Sequence, residues 1–423
     1  MKPEELASVF GAAWMTPAEA VAAIPDGATL ATGLIEPSTL LEAVASREIG
    51  GRAVIAVAAM GTLALGRTGR FEIVTSFASP VSRALAEQGI GEYLPALFSD
   101  AERVFGEADP DCVLLRLAPP DPSGRCSYGW AAAFTPHLVE SARERGIPIL
   151  AEIDPQMPRT HSGMEVPVEA IDAVCLAAGE AASDSPVPPS RHVEAIAGFL
   201  DELVPDGATL QVGIGSVPDA AVERLTARHM GVHTEVLGRG LARLVESGQA
   251  DGSRKSEDVG LCVCTIASTD PEVRALVEDF RRAEVRASGP VLDPRVIARH
   301  SALRCVNSAL AVDLRGQVNA ESMGWSQVAG VGGQLDFFRG AGLTLDGLRI
   351  VVLASTTSKG ESRIVASHPP GSVITATRYD VDAVVTEHGI AMLRNQTDEA
   401  RARALIEVAD SGARKTLRSE RFG

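Results

Sequence analysis

The sequence predicts an α/β protein built from two related α/β domains that arose by internal duplication. Three observations predict this. First, Pro25-Asp26-Gly27-Ala28-Thr29-Leu30 returns intact as Pro205-Asp206-Gly207-Ala208-Thr209-Leu210, displaced by 180 residues in a chain of 423. Second, short apolar, β-rich runs alternate with helical patterns along both copies, the mark of a buried, mostly parallel sheet. Third, aromatic residues make up only 4% of the chain, so its cores are built from Ala, Val, Leu and Ile. Such cores suit helices packed on a parallel sheet. Function in such a two-halved protein usually lies between the halves.

Each copy of the repeat opens with an Asp-Gly turn, runs through a short strand and reaches a Gly-Pro turn that starts a helix. Gly33-Leu34 answers Gly213-Ile214, and Pro37 answers Pro218 with one residue inserted. Helical patterns follow over Ser38–Ser46 and Asp219–Arg228. Before the first copy, Thr16-Pro17-Ala18-Glu19 reads as a capping box with Pro at the first helical position. The first half then offers strands at Ala28–Thr32, Ala53–Ala58, Phe71–Ser76, Cys112–Leu117, Ile147–Ala151 and Ala173–Leu176. Helices are expected between them at Val81–Gln88 and Pro136–Arg145. Gly179 to Arg191 carries three prolines and three serines in thirteen residues and reads as a linker. It separates a domain over 1–185 from a domain over 192–423. In the second, strands are expected at Ala208–Gln211, Leu261–Ile266, Ala309–Leu314, Ile350–Leu353, Val373–Ala376 and Ala383–Val385.

Composition narrows the function. The net charge is −16, from 55 acidic and 39 basic residues. That field repels nucleic acid and anionic membrane, so a bound anion must be held by local N–H groups or Arg. No apolar run is long enough for a spanning helix. Met1 to Phe10 lacks a basic segment followed by an apolar one, so it reads as folded protein and not as a secretion signal. The six cysteines form no C-x-x-C pair, and Cys262 and Cys264 read as core residues sharing a strand face. The expectation is a reduced, cytoplasmic setting with no metal site.

Two glycine clusters and one glutamate are the candidate chemistry. Gly213-Ile214-Gly215, following Gln211-Val212, could let backbone approach a ligand closely, or could be a turn and nothing more. A third glycine at dinucleotide-binding spacing and a P-loop Lys are both missing, so neither nucleotide reading holds. Gly330-Val331-Gly332-Gly333 leaves the same two options open, and it follows the polar stretch Gly316-Gln317-Val318-Asn319-Ala320-Glu321-Ser322. Glu235 stands between the clusters in His233-Thr234-Glu235-Val236-Leu237. By itself a lone Glu on a short apolar segment is usually solvated or ion-paired.

The chain resembles the acetyl-CoA hydrolase/transferase family, in its shorter branch with 4-hydroxybutyrate and butyryl-CoA:acetate CoA-transferases. The residues that carry this are Pro119-Pro120-Asp121-Pro122-Ser123-Gly124, Ser127-Tyr128-Gly129 and Met157-Pro158-Arg159-Thr160-His161 in the first half. In the second they are Gly213-Ile214-Gly215, Gly231-Val232-His233-Thr234-Glu235, Asn307-Ser308-Ala309 and Val312-Asp313-Leu314. The polar stretch from Gly316, Gly330 through Gly340, Ser362-Arg363-Ile364-Val365, and Val385 through Ala391 continue it. The resemblance implies a duplicated CoA-transferase-type (NagB/RpiA-like) fold and a homodimer or larger homo-oligomer. It implies acyl-CoA and small carboxylates as substrates, with no permanently bound cofactor. It also implies that Glu235 forms a covalent glutamyl-CoA thioester. Gln211, Val212, Gly213, Ile214, Gly215, Asn319, Gly330, Gly332 and Gly333 would then bind CoA or the oxyanions. An acyl-CoA hydrolase and an inactive acyl-CoA-binding paralogue are the alternatives. Departures from the family pattern are Gly238-Arg239-Gly240 after the glutamate, Leu292 before Asp293-Pro294 where Asn is common, and His388 and Asn395-Gln396 near the end. They put the handling of the acceptor in question. His161 and His233 are expected to be structural, because an ionised acceptor needs no base.

Overall fold

The computed structural model describes residues 1–179 and 192–423. The proposed linker, apart from Gly179, lies outside the described residues. The first half forms a sheet of seven strands: β1 (Ala28–Thr32), β2 (Gly51–Val57), β3 (Phe71–Phe77), β4 (Gly91–Tyr93), β5 (Cys112–Leu117), β6 (Ile149–Ile153) and β7 (Ala173–Leu176). All are parallel, in the order β4-β3-β2-β1-β5-β6-β7. The second half forms a sheet of six: β8 (Thr209–Val212), β9 (Gly231–Val232), β10 (Leu303–Ser308), β11 (Leu348–Val352), β12 (Ala383–Thr386) and β13 (Gly389–Met392). Their order is β9-β8-β10-β11-β12-β13, and only the last pair is antiparallel.

The repeat is visible in this topology. β1 lies between β2 and β5, and β8 lies between β9 and β10, so each copy holds the point where strand order reverses. Crevices at the carboxyl ends of such strands are where open α/β sheets bind ligands. The repeated Asp-Gly turn does the same work twice. Gly27 and Gly207 sit at φ +84° and +79°, which suits glycine. The Asp26 carboxylate accepts the Gly50 N–H at 2.8 Å, and the Asp206 carboxylate accepts the Arg228 N–H at 2.7 Å. Each aspartate thus ties the start of its own strand to the start of the next. We expect Asp26→Ala and Asp206→Ala each to lower stability by about 1 kcal/mol in urea unfolding. An effect confined to one copy would show that the two turns are not equivalent.

Several elements differ from the sequence expectation. The helix expected over Asp219–Arg228 spans Ser216–Val222, beginning directly after Gly215. The run Leu261–Ile266 splits into Cys262–Cys264 and Ile266–Ala267, which pair with Ala283–Val285 and Val236–Leu237 respectively. Val373–Ala376 is β-branched and apolar but makes only an isolated bridge, Ala376 to Val318. The central strand β10 was not anticipated, because Arg304 and Asn307 interrupt its apolar pattern. The capping box at Thr16 is present, with the Glu19 N–H on Thr16 Oγ1.

The halves are not insulated from each other. One apolar cluster, including Phe105, Phe134, Phe337 and Phe338, runs from a face of the first sheet into the second half, and a separate cluster fills the opposite face. The segment Trp130–Phe134 also crosses over: Ala132 N–H donates to Thr265 O at 3.1 Å and Ser288 N–H to Ala133 O at 2.8 Å. All six cysteines are buried and unpaired. Among the described residues no helix is long and apolar enough to cross a membrane.

Candidate active site

Glu235 follows the short strand β9, and its backbone is fixed on both sides. Its carbonyl accepts the N–H groups of Thr265 at 3.1 Å and Ile266 at 2.9 Å. The preceding Thr234 is buried, with its hydroxyl in contact with both the N–H and the carbonyl of Val212 on β8. The side chain of Glu235 is half-buried and reaches the second glycine cluster, where the Gly333 N–H donates to Oε2 at 2.6 Å. Both glycines of that turn face the carboxylate. A Cβ on Gly332 would lie 3.2 Å from Oε2, and one on Gly333 only 2.8 Å away. Gly332 also sits at φ +56°.

Burial pushes the Glu235 carboxyl up to about 7, Asp336 adds to the rise, and the Gly333 N–H opposes it. Native protein therefore binds more protons here than the unfolded chain between about pH 4.5 and 7. Stability from this group is retained below the unfolded value and lost as pH rises through 7. Glu235→Gln removes that loss. At pH 8 it is expected to be more stable than wild type by about 1–3 kcal/mol, and at pH 4.5 no more stable. Urea unfolding at the two pH values checks this.

The first glycine cluster is placed by a buried amide pair. Gln211 and Asn307 exchange side-chain hydrogen bonds at 3.2 and 2.8 Å across β8 and β10. Gly213 is glycine for lack of room, since its Cβ would lie 2.2 Å from Asn307 Oδ1. Its N–H is already donated to Val306 O at 2.8 Å, so the oxyanion-donor role expected of Gly213 does not fit. In this loop Ile214 is exposed and Gly215 sits at φ +145°. In the first half the matching loop is tied to the helix that follows β2. There the Glu36 carboxylate takes the N–H groups of Ala59 at 2.6 Å, Gly61 at 2.8 Å and Thr62 at 3.1 Å. The second copy has Ser216 at the corresponding place, and there the carboxylate that reaches the next helix is Asp219, whose Oδ1 accepts the Gly240 N–H at 2.9 Å.

The other expected residues separate into two groups. Gly330 lies where the halves meet, because its Cβ would be 2.6 Å from the Phe77 ring at the end of β3. Arg83 of the first half also donates to Val328 O at 3.1 Å. Asn319, by contrast, is buried and folds back on its own turn. Its Oδ1 accepts the N–H groups of Glu321 and Ser322, and its Nδ2 donates to Ser322 O. Val212 is buried in β8.

The structure also places the residues that the sequence marked as departures or as structural histidines. Leu292 is fully buried against Gly333, with Cδ2 2.8 Å from where a Gly333 Cβ would stand. It thus closes off the space beside Gly333 that Glu235 Oε2 leaves free. His233 holds this wall in place, its Nε2 meeting Val291 O at 2.9 Å. Burial and the nearby His300 and Lys255 keep its imidazole neutral, so a structural role fits. His161 pairs with Glu165 at 2.9 Å. Gly238 and Gly240 make room for Asp219, whose Oδ1 accepts the Gly240 N–H at 2.9 Å. Arg239 between them lies near Asp219 and Glu272, whose negative charges it offsets. Two cavities, of about 240 and 370 Å³, lie away from Glu235. Among the described residues no group of three or more His, Cys, Asp or Glu is placed to hold a metal ion.

Fold and site together define a class: a two-halved α/β protein that presents one desolvated carboxylate to a glycine-rich turn where the halves meet. Residues 271–421 match the model of the acetyl-CoA hydrolase/transferase C-terminal domain. The chain is 34% identical to the 4-hydroxybutyrate coenzyme A transferase of Clostridium kluyveri, over 81% of this chain and 80% of that one. Among solved structures it is similar to RipA from Yersinia pestis, with TM-score 0.90, 29% identity and 99% and 98% of the two chains covered. It is also similar to the 4-hydroxybutyrate CoA-transferase of Porphyromonas gingivalis, with TM-score 0.78, 25% identity and 99% of each chain covered. The chain belongs to the acetyl-CoA hydrolase/transferase family.

Proposed function

We propose that this protein is a CoA-transferase that moves CoA between an acyl-CoA and a small carboxylic acid, with Glu235 as the covalent carboxylate. The observation that carries the reading is the half-buried Glu235 side chain, poorly hydrated and held by a single backbone donor. An exposed carboxylate is a weak nucleophile because water solvates its charge. One whose pKa is raised by burial is more basic and more reactive.

Ionised Glu235 attacks the acyl-CoA carbonyl and expels CoA thiolate, leaving an acyl-glutamyl anhydride. The thiolate then attacks the glutamyl carbonyl and expels the acyl group as a free carboxylate. Glu235 is left as a neutral thioester, and an acceptor carboxylate reverses both steps. The Gly333 N–H serves twice, first by fixing the carboxylate and then by facing the oxyanion that forms on the glutamyl carbonyl. For the oxyanion on the acyl group, Ile214 and Gly215 are the remaining donors of the first cluster. Binding energy from the long CoA arm would orient the two reacting carbonyls.

With this reading go a cytoplasmic setting, a homo-oligomer and no resident cofactor. The test is intact-protein mass spectrometry after incubation with acyl-CoAs and no acceptor, followed by peptide mapping. A CoA-sized adduct on the peptide containing Glu235 is expected. Released thiol without an adduct would point to hydrolysis, and neither adduct nor thiol across an acyl-CoA panel would sink the assignment.

A further inference from the structure

Asp336 stands three residues beyond Gly333, in the first turn of the helix Gln334–Gly342. Its carboxylate is buried, yet the donors that hold it come from the other half of the molecule. Ser99 N–H donates to Oδ2 at 3.2 Å and Ser99 Oγ to Oδ1 at 2.7 Å, across 237 residues of sequence. Glu235 and Asp336 therefore share one turn, one carboxylate held by its Gly333 N–H and the other clamped by the facing half. Within its own helix Arg339 offsets the Asp336 charge, and Asp100 beside Ser99 adds to the negative field. On the other flank His233, edge-on to Phe337 at 6.0 Å, is neutral and contributes no compensating charge.

We propose that Asp336, clamped by Ser99, is a positioning residue whose negative charge drives Glu235 toward its covalent thioester. The argument rests on Glu235 being the covalent carboxylate. Two like charges in a poorly hydrated turn repel each other. Thioester formation removes one of them: the glutamyl oxygen and its charge leave with the released carboxylate, and the carbon acquires sulfur in a neutral group. Repulsion is therefore present before the exchange and absent after it. The free enzyme is raised relative to the intermediate. Burial pushes the Asp336 carboxyl up to about 6, the Ser99 donors oppose that rise, and at pH 8 it is ionised.

The deciding measurement is an isotope-edited infrared titration of the Glu235 carboxylate, with the Glu235→Gln spectrum subtracted. The midpoint is expected to fall by about one pH unit in Asp336→Asn. Ser99→Ala, a smaller change to the buried turn, should move it the same way by less. In parallel, the ratio of CoA adduct to free enzyme at pH 8 and fixed substrate ratio should fall about tenfold in Asp336→Asn, one pH unit and tenfold being the same free energy. An unmoved midpoint in both variants overturns the proposal, and so does a lowered midpoint with an unchanged adduct ratio. The titration needs no turnover. Absence of an adduct in wild type would count against the CoA-transferase reading, while the midpoints still decide whether Asp336 acts on Glu235.

Discussion

Glu235→Ala is expected to abolish CoA exchange, by on the order of 10⁴-fold or more, while leaving acyl-CoA binding within a few-fold of wild type. The magnitude follows from the chemistry, since a covalent route with its nucleophile deleted has no partial form. No neighbouring carboxylate can substitute. Asp336 is held by two donors from Ser99, and Glu36 by the backbone of residues 59–62 in the other half. The variant should be at least as stable as wild type above pH 7, because it deletes a group whose ionisation burial opposes. Incorporation of labelled acetate into acetyl-CoA, run with a panel of other acyl-CoA and acid pairs, measures the exchange. Calorimetric titration with the same acyl-CoAs measures the binding. Residual exchange above about 1% of wild type would remove Glu235 from the covalent role.

The parts of this protein that could be read in its sequence are those set by local rules. The Pro-Asp-Gly turn needs an acceptor side chain and a left-handed residue, and both copies display them at fixed offsets. Strands β1, β5 and β7 are short, mostly apolar runs and emerge with the bounds expected of them. β10 hides because its polar residues are satisfied at long range: Asn307 meets Gln211, and Arg304 donates to Leu203 O at 2.6 Å and Asp346 O at 2.8 Å. Val373–Ala376 misleads for the opposite reason, having strand composition but no ladder to join. At the site, Glu235 has no local signature, and family resemblance alone singled it out. The glycines were visible as glycines, but not which of them had a spare N–H: Gly213 spends its own on β10. The Ser99–Asp336 contact is invisible in sequence, where an acidic residue early in a helix reads as an ordinary helix start.

The second large effect is expected at Gly333. Its φ is −88°, a conformation open to any residue, so alanine there costs nothing in backbone strain. What it lacks is room. The added methyl would stand 2.8 Å from Glu235 Oε2 and 2.8 Å from Leu292 Cδ2, well inside contact distance on both sides. Of the two neighbours the carboxylate yields more readily, since Leu292 is fully enclosed. Glu235 should therefore swing off the Gly333 N–H and lose both the hydrogen bond that aims it and the donor that faces its oxyanion. Gly333→Ala is expected to lower kcat on the order of 10²–10³-fold, with little change in KM. Gly332→Ala makes a useful contrast. There the methyl has 3.2 Å, but the residue sits at φ +56°, so that variant should lose stability by about 1–2 kcal/mol as well as activity. Trimming the opposing wall separates the two causes: Gly333→Ala with Leu292→Ala leaves space for the methyl to move away from the carboxylate. The double variant should recover at least about tenfold of the lost kcat despite the cavity it creates. If Gly333→Ala alone keeps kcat within threefold of wild type, the contact between this turn and Glu235 has no part in the chemistry.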